Sequence, residues 1–235
     1  MPSKYYWSLL ACSLLGGFST QAEAAAEDGY IFKQDSSRYG KLTCYVTPTR
    51  FRMDAMDLQI HLKPPYKFII MYNTEQKLQY KTTVDSVAKR LTLRTVAEKD
   101  KKLGTVEVLR RIEDRKIAGF MCQGYRSEHI YKDKKKLPRP RMNIYATREL
   151  NLPKEMEMAC AHLSDCPTGL GFPLRLQFFE NYKDEKTGLS GIKLTQLLNT
   201  LKAEKAKLND QIFQEPKGFK IARDEAEVVL GDTGY

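Results

Sequence analysis

The sequence is poor in the residue types that most often carry chemistry. It holds three histidines, His61, His129 and His162, one tryptophan and five cysteines in 235 residues. No histidine stands in an H-E-x-x-H or H-x-H arrangement, so the usual two-histidine zinc motif is missing. No C-x-x-C occurs, which removes support for a redox dithiol or a zinc ribbon. There is no G-x-S-x-G elbow and no nucleophile with an evident local base. Gly169-Leu170-Gly171 lacks the Lys-Ser/Thr of a phosphate loop, and Pro173 follows it, so it reads as a tight turn before a strand. The expectation is a protein that is not an enzyme and needs no cofactor or metal.

Long apolar runs are also missing. The longest, Tyr5 to Phe18, falls short of the about 20 residues a membrane helix needs. It follows Lys4 and precedes Ala22-Glu23-Ala24 and Ala24-Ala25-Ala26, which are small-x-small cleavage sites. Residues 1–24 therefore read as a signal peptide and residues 25–235 as a single exported domain, periplasmic or extracellular. A second reading is a lipid-anchored form through Cys12, because Leu9-Leu10-Ala11-Cys12 looks like a lipidation box.

Acidic excess is absent as well. The chain carries 39 Lys and Arg against 29 Asp and Glu; removing residues 1–24 takes away one Lys and one Glu and leaves the net charge at +10. For an exported chain this charge points away from nucleic acid. It points toward an anionic membrane surface, a cell-wall polymer or an acidic envelope protein, or else serves solubility. The runs Lys99–Lys102 and Lys132–Lys136 are either solvated hairpin tips or parts of such a patch.

What is present is alternation. Leu42, Cys44 and Val46 share one face of a strand. Leu78 with Tyr80, Val106 with Val108 and Ile112, Phe120 with Cys122, and Met142 with Ile144 and Ala146 repeat the period of two, as does Phe172 through Phe178. Phe68 to Tyr72 is apolar on both faces, which predicts a covered strand. Short polar connections argue for an antiparallel meander. Asn151-Leu152-Pro153 predicts a helix start, and Met156, Ala159, Cys160 and Leu163 give it an apolar stripe. Residues 194–208 fit two templates: Leu194, Leu197, Leu198 and Leu201 suit a helix, and Ile192, Leu194, Gln196, Leu198 and Thr200 suit an edge strand.

Cleavage would leave four cysteines, Cys44, Cys122, Cys160 and Cys166, an even number suited to an oxidising compartment. Of three pairings, the nearness of Cys160 to Cys166 favours that bridge and leaves Cys44 with Cys122. The seven methionines after the signal segment, Met53, Met56, Met71, Met121, Met142, Met156 and Met158, are many for a domain of this size, and they serve either the core or a cavity lining.

Five segments in order carry a resemblance. They are Tyr45 to Met53, Pro65 to Glu75, Ile117 to Tyr125, Gly169 to Arg175 and Ile212 to Phe219. Together they resemble exported domains of the LolA/LolB-like type, including relatives of unknown function. The resemblance implies a fold that is mainly β with α: a strongly curved antiparallel sheet, an incomplete barrel, with one or two helices covering the concave face. It also implies a non-catalytic role, holding a lipid, a lipoprotein acyl chain or another apolar ligand. Four mature cysteines and a basic surface depart from the better-known carriers. The lining expected for the cavity is Phe68, Ile70, Leu78, Tyr80, Val108, Phe120, Ile144, Leu174, Leu176 and Met156. The alternative is an envelope interaction or assembly protein whose concavity is filled by its own side chains.

The export reading has a direct check. N-terminal sequencing of the protein from envelope material should give a start at Ala25, within about two residues. An intact Met1 or a diacylated Cys12 refutes it.

Overall fold

The computed structural model describes residues 26–87, 105–131, 139–183 and 190–230. The signal segment and both lysine runs lie outside the described residues.

Twelve strands form one sheet. They are β1 (Glu27–Ser36), β2 (Gly40–Val46), β3 (Phe51–Ala55), β4 (Leu58–Leu62), β5 (Phe68–Asn73), β6 (Leu78–Thr83), β7 (Thr105–Ile117), β8 (Phe120–Tyr131), β9 (Arg139–Thr147), β10 (Phe172–Lys183), β11 (Ser190–Leu208) and β12 (Lys220–Ile221). Their order is β12-β6-β5-β4-β3-β2-β1-β11-β10-β9-β8-β7. Two meanders are thus joined where β1 pairs with β11. The sheet is open, as expected of an incomplete barrel, with β12 and β7 at its edges. It is not wholly antiparallel: β12 adds to β6 in parallel.

The stretch 194–208 is strand throughout: its first part pairs with β10 and its later part with β1, and Leu198 and Asn199 have partners on both sides. The apparent helical stripe has a physical origin in two β-bulges. Leu176 faces Leu198 and Gln177 faces Gln196, so Leu197 is the extra residue against β10. Lys33 faces Lys202 and Gln34 faces Thr200, so Leu201 is the extra residue against β1. Bulges bend a strand and increase its twist, and these lie in the middle of the sheet, where curvature is needed. Leu201 ends 58% exposed and Leu194 44% exposed, which no core-facing helix would leave.

Helix α1 (Lys154–Leu163) begins just after Pro153 and buries Met156, Ala159, Cys160, Ala161 and Leu163, the expected stripe with one addition. It lies over the inner face of the sheet. The connection back to β10 passes through Gly171 at φ 100°, where a Cβ would collide with the Thr147 carbonyl. Only glycine fits there. The Gly171 N–H donates to Glu157 Oε1 at 2.9 Å, which ties the turn to α1. A second helix, α2 (Glu225–Leu230), packs on β5 and β6 with Val228 fully buried, and the Asn73 Nδ2 donates to the Val228 carbonyl at 3.1 Å.

The core is organised by a row of aromatic rings. Phe32 stands 5.6 Å from Phe120 and 5.2 Å from Phe172, and Phe172 stands 6.3 Å from Phe51, centroid to centroid. These contacts cross from β1 to β8, β10 and β3. The outer face of β3–β6 is covered too. The segment 209–221 crosses it, with Arg52 donating to the Ile212 carbonyl at 2.7 Å and Phe219 edge-on to Tyr72 at 5.5 Å. This is why β5 is apolar on both faces.

Phe32 has no exposed surface, and truncation to alanine should cost about 3–5 kcal/mol. Leu201→Ala should stay within about 0.5 kcal/mol, since the side chain is solvated. Urea denaturation of both variants checks this. A large loss at Leu201 would contradict the strand assignment of 194–208.

Candidate functional site

Among the described residues, the space between α1 and the sheet is the feature best suited to ligand binding. Residues that share the inner face of neighbouring strands build its floor: Phe32, Cys44, Met53, Ile60 and Met71 stand opposite one another across β1 to β5. Beside Cys44 a cavity remains. Leu42, Phe51, Met53, Phe172, Leu176, Leu197 and Leu198 line it from the sheet, and Cys160 and Leu163 from α1. The bulge at Leu197 lets two consecutive leucines reach the same space. The cavity measures about 90 Å³. Ligand sites run to about 300–1,000 Å³, so the interior is largely filled by its own side chains.

Its polar groups are few and fixed. Gln34 is 4% exposed. Its Nε2 donates to Thr200 Oγ1 at 2.8 Å, and its Oε1 accepts from Cys44 Sγ at 3.4 Å. Thr200 Oγ1 in turn donates to the Leu174 carbonyl at 2.8 Å. The mouth is charged. Arg38 reaches Asp165 at 3.5 Å and Glu225 at 3.7 Å, linking the β1–β2 turn, the end of α1 and the start of α2. One Asp165 oxygen, Oδ1, is buried without a hydrogen-bond partner there.

The residues expected to line a cavity are dispersed. Leu176 lines it. Phe120, Ile144, Leu174 and Met156 are buried in the packed core. Leu78, Tyr80 and Val108 are half-buried. Phe68 and Ile70 are on the other face of β5: Ile70 stands opposite His61, which stands opposite Arg52, all on the outer side. The inward residues are Ile69 and Met71. A strand apolar on both faces gives no parity signal, so the sequence does not say which face of β5 turns inward. Sequence reasoning also misses Gln34, Leu42 and Phe51 as cavity residues. Leu42 has a signal in its alternation with Cys44, but nothing in sequence marks Gln34 as the partner of Thr200. Met53, Met71, Met142 and Met156 are core residues, with Met53 also at the cavity wall, whereas Met56 and Met121 are exposed.

All four described cysteines are buried and none is bonded to another, so neither Cys160–Cys166 nor Cys44–Cys122 is bridged. Along the sheet, β1, β11, β10 and β9 lie between Cys44 on β2 and Cys122 on β8. Burial pushes every one of these thiols up, Cys122 to about 11 and Cys166 to about 12. That is the state of inert thiols.

No family model matches the sequence, and no curated protein matches it. The class the fold defines is an open, curved, mainly β sheet with helices on its inner face. Solved structures similar to it include an uncharacterized conserved protein from Thermus thermophilus, with a TM-score of 0.40 and 13% identity over 84% of this chain and 91% of that one. Another is a "putative outer membrane lipoprotein-sorting protein domain" from Vibrio parahaemolyticus, with a TM-score of 0.28 and 12% identity over 80% of this chain and 89% of that one.

Of His61 and His162, His61 has the more unusual setting. It is 3% exposed under the crossing segment, edge-on to Tyr72 at 5.2 Å, and its Nε2 has no hydrogen-bond partner. Burial first, then the Arg52 charge, lower its pKa to about 4. The unfolded chain takes up a proton near pH 6.5 and the folded one only near 4. Stability is therefore undiminished above about pH 6.5 and falls between there and about pH 4, by on the order of 3 kcal/mol. Glu215, held below the usual carboxylate range by its bond to Lys63, adds a further loss at lower pH. Chemical denaturation at about pH 7.5 and about pH 4.5 should show the drop, and His61→Gln should flatten it. An unchanged pH profile in the variant would assign the acid sensitivity elsewhere.

Proposed function

We propose that this is a non-catalytic binding protein of the cell envelope that takes an acyl chain or another apolar ligand beneath α1. The observation that carries this reading is an apolar cavity between a short helix and a curved sheet, reaching solvent beside Arg38. At about 90 Å³ it is a seed for a ligand site, and occupancy requires α1 to move outward. The helix suits that role. It is ten residues long, its N-terminus has no side-chain cap, and of the five side chains it buries only Met156 and Leu163 are large. Short amphipathic helices owe their stability to such packing and separate from it as units.

A second reading has its own support. The interior is mostly filled, and Ile192, Leu194 and Leu201 are exposed along β11. A filled half-barrel with apolar side chains on its surface suits an envelope interaction or assembly protein. Charge adds an electrostatic attraction to anionic surfaces in either case.

Fluorescence titration separates the two. N-phenyl-1-naphthylamine should bind the native protein at one site and be displaced by palmitate, and Leu198→Trp should abolish this by filling the cavity. Absence of dye binding to folded protein refutes the carrier and leaves the assembly protein.

A further inference from the structure

Three of the four buried cysteines gather on one side of α1. Cys44 is on β2 in the floor, and Cys160 is on α1 above it; both line the same cavity. Cys166 follows the helix end, where its N–H donates to the Ala161 carbonyl at 3.0 Å, and it does not line the cavity. Burial raises the Cys160 thiol first, and the nearby Cys44 and Cys166 raise it further. Cys122 is elsewhere: its charged neighbours are Glu149, Arg175 and Asp114. The helix and the sheet thus each present a thiol to one shared space, and Cys44 is already oriented there by its bond to Gln34 Oε1.

We propose that Cys44 and Cys160 form a disulfide that fastens α1 to β2 and holds the cavity shut. The bridge stands on the placement of the two thiols; its gating role rests on the ligand-binding reading above. The chemistry is thiol–disulfide exchange with a small-molecule disulfide. One cysteine thiolate attacks a sulfur of that reagent, forming a mixed disulfide and expelling one thiolate, which takes up a proton. The second cysteine, having lost its proton to solvent, attacks the mixed disulfide and expels the other thiolate. The two cysteines lose two electrons, and the reagent is reduced to two thiols. Because both cysteines are buried and their thiols are held protonated, exchange takes place during folding or when α1 is lifted. The closed helix protects whichever state it was closed in.

The pairing is readable by mass spectrometry. Trypsin alone leaves Cys160 and Cys166 in one peptide, because no Lys or Arg lies between Lys154 and Arg175. Added cleavage before Asp165 separates them. After refolding of the full chain with oxidised glutathione, the expected linked species joins the Cys44 peptide, Leu42 to Arg50, to Glu155–Ser164. Cys166→Ser should retain this link and Cys44→Ala should lose it; the wild-type map decides the pairing even where a variant fails to fold. N-phenyl-1-naphthylamine affinity should fall at least tenfold in the bridged protein and return with dithiothreitol. A main link from Cys160 to Cys166 or from Cys44 to Cys122, or alkylatable thiols at all of Cys44, Cys122, Cys160 and Cys166 after oxidative refolding, overturns the bridge. A mapped bridge with equal dye affinity in both states overturns the gate. A mapped bridge in a protein whose reduced form binds no dye sustains the bridge and removes the ligand reading instead.

Discussion

The pairing of β1 with β11 joins two halves that would otherwise be separate sheets. Each meander, β1–β6 and β7–β11, is built from neighbours in sequence and could form locally. Only the ladder from Glu27 opposite Leu208 to Ser36 opposite Leu198 makes them one sheet. It brings together residues from the two ends of the domain, so its loop-closure cost is met late and nothing local reinforces it. The side chains explain why it holds. Phe32, in the middle of β1, touches Phe120 and Phe172 of the other meander, so burial and backbone pairing act at the same point. The polar Gln34–Thr200 bond spans the same two strands and satisfies both side chains inside the core.

That junction also places the bulges. Leu201 is extra against β1 and Leu197 against β10, so β11 bends where the sheet turns from one meander to the other. The bend gives the sheet an inside. The inner face is then covered by α1, which leaves the sheet after β9 and returns at β10, and by α2, which follows β12. The outer face of β3–β6 is covered by the segment 209–221. A flat sheet with the same alternation would expose one apolar face to water, at about 25 cal/mol per Å².

How much of this is legible in sequence differs by element. Helix α1 is plain, because Pro153 marks its start and its stripe has one period. The strands are plain wherever apolar and polar residues alternate. Residues 194–208 are not, and the reason is specific: Leu194 and Leu198 are four apart and satisfy both periods, whereas Leu197 and Leu201 fit only a helix unless they are bulge residues. A bulge has no signal in a single sequence here. The inward face of β5 is illegible for a related reason, since a strand covered on both sides has apolar residues at both parities. Part of the error in the cavity lining follows from those two gaps; Phe120, Ile144, Leu174 and Met156 differ for another reason, since they do face inward but pack against one another in the filled core. Phe68 and Ile70 fall on the outer face, and the Leu197–Leu198 pair depends on a bulge.

The small size of the cavity bears on how a ligand would be held. Lifting α1 exposes chiefly Met156 and Leu163, each contributing about 1.5–3 kcal/mol by burial, together with the smaller Ala159 and Cys160. The cost of opening is therefore on the order of 5 kcal/mol before relaxation. An acyl chain contributes about 0.8 kcal/mol for each buried methylene, so about six methylenes offset the opening, and a longer chain exceeds it. Short apolar molecules would leave the helix closed, whereas long chains would hold it open. Were α1 to open for an acyl chain, the filled interior would therefore act as a length filter, since only a ligand with enough apolar surface offsets the packing of the helix on the sheet.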